Sequence, residues 1–256
     1  MNLAPDKPII LVTNDDGYDA PGISALVEAV EPLGRILVVA PDREQSGAGH
    51  ALTLDRPLRV YKVEEGRYRV TGTPTDCVQI AVSNLTEKEL PGLVVSGINR
   101  GLNVGDDVTY SGTVAAALEG TLLHIPSIAF SIKIDRHGRA AYDSVVPFAR
   151  KIAGEVLKRG LEQGVLLNVN FPPGNFMGVR ITRQGTRDYR GSTLERLDPS
   201  GRSYFWIGGA DMTPTGEVDG DHLAIMGGFI SVSPLQADLT HEPTMKTLAG
   251  WNLEIN

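Results

Sequence analysis

The chain has 256 residues, 41% of them hydrophobic and 21% charged, a composition that fits a folded globular protein and excludes a disordered or low-complexity one. A net charge of -7 argues against a surface built to track a nucleic-acid backbone, which needs clustered basic residues, yet it allows a small phosphorylated ligand. The single cysteine, Cys77, excludes an intrachain disulfide framework, Met1–Lys7 lacks a basic-then-apolar leader, and no apolar run is long enough to span a membrane. A cytoplasmic protein with no membrane or nucleic-acid polymer partner is the expectation.

Pro8 opens Ile9-Ile10-Leu11-Val12-Thr13, an apolar and β-branched run suited to a parallel strand covered on both faces. It empties into Asn14-Asp15-Asp16-Gly17. Neighbours on a strand point to opposite faces, so two adjacent aspartates can meet one ligand only where the chain turns, and Gly17 permits that turn. Ligands of open parallel sheets bind beyond the carboxyl ends of the strands, which makes Asp15 and Asp16 a candidate cation site. The alternative is an Asx-type turn that simply leads into the next helix.

An apolar stripe of Ile23, Leu26, Val27, Val30 and Leu33 predicts that helix, with Gly34 ending it, and Arg35–Pro41 reads as a second buried strand. The polar loop Asp42–His50 then falls at the same sheet edge as the aspartates. Leu52 to Thr71 alternates around Glu64-Glu65-Gly66, as antiparallel strands joined by a turn do. Thr73-Pro74-Thr75-Asp76 is a helix start, with Thr73 as N-cap, Pro74 at the first position and Asp76 in the first turn; Val78, Ala81, Val82 and Leu85 continue its apolar face. Leu93–Ser96 is a third buried strand, followed by a glycine-rich loop from Gly97 to Asp107.

Thr109–Thr113 precedes the alanine-rich helix Val114–Gly120. Its N-terminus is an anion-site candidate, because free N–H groups and the helix dipole favour negative charge, while Ser111, Gly112 and Thr113 allow close approach and add hydroxyls. Ser127–Ser131 is predicted as a strand, Ala141–Arg159 as a long helix and Val165–Phe171 as the last strand of the alternation. From Gly174 the rhythm changes to short strands such as Gly178–Thr182, with turns at Gly208-Gly209, Glu217–Gly220 and Gly227-Gly228. The chain is therefore divided into an α/β core, residues 1–173, and a β-rich extension, residues 174–256, used for oligomer contacts as a homodimer or homotetramer. A short terminal helix, Glu242 to Trp251, is expected to pack Met245, Leu248 and Trp251 against a neighbour.

Three polar loops at successive strand ends and a Ser-Gly-Thr helix start together point to a metal-plus-phosphate crevice. Oxygen ligands suit Mg2+, Mn2+ or Ca2+, whereas no His-x-x-x-His or paired-cysteine spacing supports zinc. An aspartyl-phosphate route is disfavoured because Gly17 stands where a second catalytic aspartate is commonly found. A cysteine-phosphatase route fails because Ser83 stands where the arginine after Cys77 is needed. No Gly-Lys-Ser/Thr sequence follows the glycine-rich loop, so it is not a Walker motif. His50 is a weak candidate proton donor, and Asp106 and Asp107 are reserve metal ligands.

The chain resembles the SurE family, the survival-protein-E metal-dependent nucleotidases. The motifs that carry the resemblance are Ile10–Tyr18, Ala40–Gly47, Gly72–Val78, Ser96–Gly101, Asn103, Gly105, Tyr110–Ala116 and Ser231–Thr240. Gly49-His50 and Ser233 depart from the pattern within motifs whose neighbours match. The resemblance implies a Rossmann-like, mostly parallel sheet flanked by helices with a β-rich, swapped C-terminal part. It implies one divalent ion per subunit, Mg2+ or Mn2+, on Asp15, Asp16, Ser46 and Asn99, and phosphate release from nucleoside 5'- and 3'-monophosphates. Asn103, Ser111, Gly112 and Thr113 would hold the phosphate, with Asp15 and Asp16 as the catalytic residues; which of them orients the attacking water is left open. The rival readings are a metal- and nucleotide-binding regulatory module without turnover and, more weakly, a glycosyltransferase.

Overall fold

Alternate residues of the first strand feed two different cores. The computed structural model describes residues 7–86, 89–187, 193–207, 214–215, 219–251 and 253. Its elements begin with β1 (Ile9–Thr13), α1 (Pro21–Val30), β2 (Arg35–Pro41), β3 (Val60–Glu64), β4 (Arg67–Val70) and α2 (Pro74–Ile80). They continue with β5 (Leu93–Arg100), α3 (Gly112–Leu122), β6 (Ser127–Ile132), α4 (Tyr142–Arg159) and β7 (Val165–Phe171). Beyond these come β8 (Val179–Ile181), β9 (Thr186–Arg187), β10 (Thr193–Leu197), β11 (Ser203–Ile207), β12 (Pro214–Thr215), α5 (Asp221–Met226), β13 (Ile230–Gln236) and α6 (Glu242–Leu248).

Ile10 and Val12 of β1 pack with Leu26, Val30 and the α4 residues Val145 and Ala149, whereas Ile9 and Leu11 pack with Cys77, Val78 and Ala116. The period of two along a strand thus sorts one sequence run into two layers, which is why every residue of β1 had to be apolar or β-branched. The main sheet runs β3-β4-β2-β1-β5-β6-β7-β13-β8 among the described residues. Strands β4, β2, β1, β5, β6 and β7 are parallel, β3 closes one edge antiparallel, and β13 lies antiparallel to β7. This is a Rossmann-like, mostly parallel sheet flanked by helices, with additional antiparallel strands contributed by the C-terminal part.

The expected hairpin around Glu64-Glu65-Gly66 forms as β3 and β4, and the predicted cap of α2 is a complete capping box between Thr73 and Asp76. Of the elements that differ from their sequence reading, three bear on the candidate site or its ties. Strand β5 does not stop at Ser96 but shifts register and runs on to Arg100, so that Asn99 and Arg100 pair with Ser131 and Ile132. The predicted glycine-rich loop therefore begins as strand, because Ile98 is fully buried and its neighbours find partners on β6. Helix α3 starts two residues early, at Gly112, with Ser111 as its N-cap. Helix α5, between the turn residues Gly220 and Gly227, was not foreseen.

Gly34 is required for packing: a Cβ there would lie 2.6 Å from the Pro8 carbonyl oxygen. Met245, Leu248 and Trp251 of the C-terminal segment are exposed on this chain, as are all residues of strands β10 and β11. The turn at Gly227-Gly228 forms, while the one placed at Gly208-Gly209 and the first two residues of the one placed at Glu217–Gly220 lie outside the described residues.

Candidate functional site

The turn after β1 is made by Asn14, whose side-chain amide donates to the Gly17 carbonyl at 2.8 Å, and Gly17 takes φ +98° there. A Cβ on Gly17 would come within 3.1 Å of the Arg43 backbone. The Asn14 side chain thus spans the turn that separates Asp15 from Asp16. The turn sends Asp15 toward α3 and Asp16 toward the end of β5.

Asp15 is 4% exposed and accepts from the Thr113 hydroxyl at 2.5 Å. Gly112 is what lets the two segments approach, since a Cβ there would meet Asp15 Cβ at 2.8 Å. Burial pushes the Asp15 carboxyl up to about 6; the Thr113 hydroxyl opposes this and the adjacent Asp16 charge adds to it. Asp16 is half-buried, and its carboxylate accepts from the Arg100 N–H at 3.0 Å. Its pKa is raised by burial, a shift offset by the Arg100 N–H and reinforced by Glu44. Neither aspartate forms an ion pair with a described residue. Two partly desolvated carboxylates therefore stand at the turn after β1, Asp15 against the positive end of α3 and Asp16 at the end of β5.

Ser46 is brought close by its neighbour, since the Gln45 N–H donates to the Asp15 carbonyl at 2.8 Å, while the Ser46 hydroxyl itself donates to Glu44 at 2.9 Å. Asn99 sits at the end of β5 with its amide nitrogen donating to the Gly101 carbonyl at 3.0 Å, which orients the amide. Ser111 accepts from the Val114 N–H as the helix cap, so its own proton is free to be donated. Asn103 is bonded to β6 and β7. Its amide nitrogen donates to the Ser131 hydroxyl at 2.8 Å, its N–H donates to Asn170, and its carbonyl accepts from Asn168 and Asn170.

Those partners were missed in the sequence. Asn168 and Asn170 stand two apart in the otherwise apolar Val165–Phe171, on one face of a buried strand, and that alternation was the available signal. The second group missed surrounds Asp221, fully buried at the start of α5, which accepts from the N–H groups of Gly105, Gly185 and His222 at 2.7–3.1 Å. It ties the C-terminal part to the segment leading into Ser111. His50, the weak proton-donor candidate, is bonded by Nε2 to Glu119 at 2.6 Å.

The fold defines a Rossmann-like α/β protein, with Asp15 and Asp16 at the carboxyl end of β1 and Asp15 bonded to the first turn of α3. Comparison with known proteins narrows this class. The family model described as Survival protein SurE matches residues 10–191. The 5'-nucleotidase SurE of Geobacter sulfurreducens is 51% identical over 247 residues, covering 95% of this chain and 94% of that protein. Its counterpart in Myxococcus xanthus is 47% identical, covering 96% and 94%. The crystal structure of the SurE protein from Aquifex aeolicus superposes with a TM-score of 0.83 at 41% identity, covering 94% of this chain and 98% of that one. The chain belongs to the SurE family.

Proposed function

We propose that the protein is a divalent-metal-dependent phosphomonoesterase that hydrolyses nucleoside 5'- and 3'-monophosphates to nucleoside and phosphate. The observation that carries the reading is the Asp15-Asp16 pair, buried and half-buried, without an ion-pair partner among the described residues, with Asp15 packed against the start of α3. Its relatives bear the name 5'-nucleotidase, which supplies the substrate class.

The residues present fit a hard cation. Two desolvated carboxylates repel one another unless a cation sits between them, and the hydroxyl of Ser46 and the amide oxygen of Asn99 add the neutral oxygens that Mg2+ or Mn2+ accepts. No group of three or more His, Cys, Asp or Glu suited to a metal stands among the described residues, so neutral oxygens are needed to complete this ligand set. When bound there, a divalent cation supplies Lewis-acid polarisation of a phosphoryl oxygen.

The chain's own residues do the rest. Asp15 is locked by Thr113 and Gly112, so Asp16, which is more open, is the carboxylate with room to orient the attacking water. As water adds to phosphorus and the ester oxygen leaves, negative charge grows on the phosphoryl oxygens. In this reading the N-terminus of α3 with the Ser111 hydroxyl, and the amide of Asn103, receive it. Residues 174–256 act in this reading as an oligomerisation extension of the 1–173 core, supported by the exposed Phe205 and Trp206 on the β10–β11 hairpin, in a homodimer or homotetramer. Among the described residues no helix is long and apolar enough to cross a membrane; composition and the single cysteine favour the cytoplasm.

The test is phosphate release from a panel of nucleoside monophosphates with Mn2+ or Mg2+, repeated with excess chelator and with Asp15→Asn. Release that stops with chelator, and a fall of at least about a hundredfold in kcat/KM for a folded Asp15→Asn protein, is expected. Binding of nucleotide without any release would establish the non-catalytic module instead.

A further inference from the structure

We propose that Glu119 and His50 are positioning residues for the cation site: through His50, the buried carboxylate of α3 fixes the loop that presents Ser46 to the ion. The proposal rests on the metal-dependent reading. Ser46 lies on the polar loop from Asp42 to His50, where Ser46 and Gly47 are exposed. A Cβ on Gly47 would meet nothing within 4 Å, so the apex of the loop is not held by packing and takes its place from its two ends. At the first end the Gln45 N–H donates to the Asp15 carbonyl at 2.8 Å. At the second the Gly49 N–H donates to the Tyr110 carbonyl at 3.1 Å, and His50 Nε2 donates to Glu119 at 2.6 Å. Ser46 thus sits between a bond to the aspartate turn and bonds to Tyr110 and α3.

Glu119 is only 5% exposed, in a stretch of α3 that is otherwise apolar or glycine. A carboxylate buried there is costly unless its oxygens are bonded, and an apolar side chain would fill the position at lower cost. One oxygen accepts from His50 and the other from the Gln79 amide of α2 at 2.5 Å, and no Lys or Arg pairs with it among the described residues. Glu119 therefore joins α2, α3 and the loop at one point. The residues that follow are fastened to the start of α2 instead, by the Thr73 hydroxyl on the Ala51 carbonyl at 2.7 Å and by Asp76 on Thr53. His50 is thus the side chain that ties the loop to the phosphate-facing helix. The Ser46 hydroxyl donates to Glu44 at 2.9 Å, which engages its proton and leaves its lone pairs for a cation. Loss of the His50 tie loosens Ser46 and leaves Asp15 locked by Thr113, so it weakens ion binding without abolishing it.

The test is calorimetric titration of the full-length protein with Mn2+, without nucleotide, beside deuterium exchange of the loop from Asp42 to His50. In a folded His50→Ala protein the Kd for Mn2+ is expected to rise about tenfold and exchange in the loop to quicken. His50→Gln, which keeps an N–H for Glu119, is expected to bring both back toward the wild type. Glu119→Leu is expected to reproduce His50→Ala, with no further loss in the double variant. A Kd within about twofold of the wild type in His50→Ala, or loop exchange equal to the wild type, overturns the proposal. So does a fall in kcat at saturating Mn2+ with unaltered ion affinity, which would make His50 a proton donor. If the wild type binds no Mn2+, the metal-dependent reading falls, and deuterium exchange alone decides whether Glu119 sets the loop. Faster exchange in His50→Ala then upholds the tie, and equal exchange overturns it.

Discussion

Asn14 closes the turn that parts the two aspartates, and Gly112 and Thr113 then decide which way Asp15 faces. A residue read locally as turn chemistry therefore also aims the site. Cys77 shows the opposite kind of role. It is completely buried beneath β1 and β2, and burial first, then the charges of Asp76 and Asp42, raise its thiol well above the ordinary value of 9.0. The native thiol keeps its proton where the unfolded chain loses it, so unfolding releases protons above about pH 9, and stability is expected to fall as pH rises beyond that point. Iodoacetamide should leave the native protein unlabelled at pH 8 and label it fully in guanidinium. Equal labelling in both states would contradict the placement of Cys77.

At the scale of elements, the start of α2 shows what local sequence can specify. Asp76 accepts from the Thr73 N–H at 2.8 Å as half of the capping box, and also from the N–H and hydroxyl of Thr53 at 2.9 and 2.6 Å. Asp76→Ala would leave these part-buried donors without the carboxylate and is expected to cost about 2 kcal/mol, read from the urea midpoint at constant slope. A loss below about 1 kcal/mol would show that water replaces the carboxylate there. The cap was legible because all its parts lie within four residues. The continuation of β5 was not, since Asn99 and Arg100 become strand only by pairing with Ser131 and Ile132 of β6, after a register shift that no local pattern announces. Helix α5 escaped notice for a related reason: six residues are too few to display a helical period, and what organises its start is the buried Asp221.

Over the whole molecule, the C-terminal part is joined to the site through that same Asp221. Its carboxylate binds the Gly105 N–H at 2.8 Å, on the segment between Asn103 and Ser111, and also binds Gly185 at 3.1 Å. Asp221→Ala is expected to destabilise the chain by roughly 3 kcal/mol and to raise KM for nucleotide more than it lowers kcat, because it loosens the phosphate-facing segment and leaves Asp15 in place. Calorimetric melting with steady-state kinetics checks both, and a fall in kcat alone would argue against this coupling. The sequence by itself determined the order of strands and helices as far as Phe171, the burial of the parallel strands, the cap of α2, the acidic strand end and the Ser-Gly-Thr helix start, because periodicity, capping and turn chemistry act over a few residues. Only the tertiary structure decided that Asp15 meets Thr113 across 98 positions and that Asn103 is held by Asn170 across 67. It also decided that β13 returns antiparallel beside β7 and that Asp221 reaches back to Gly105. Such contacts depend on which elements pack together, and a buried carboxylate or amide takes its partner from whatever that packing places beside it.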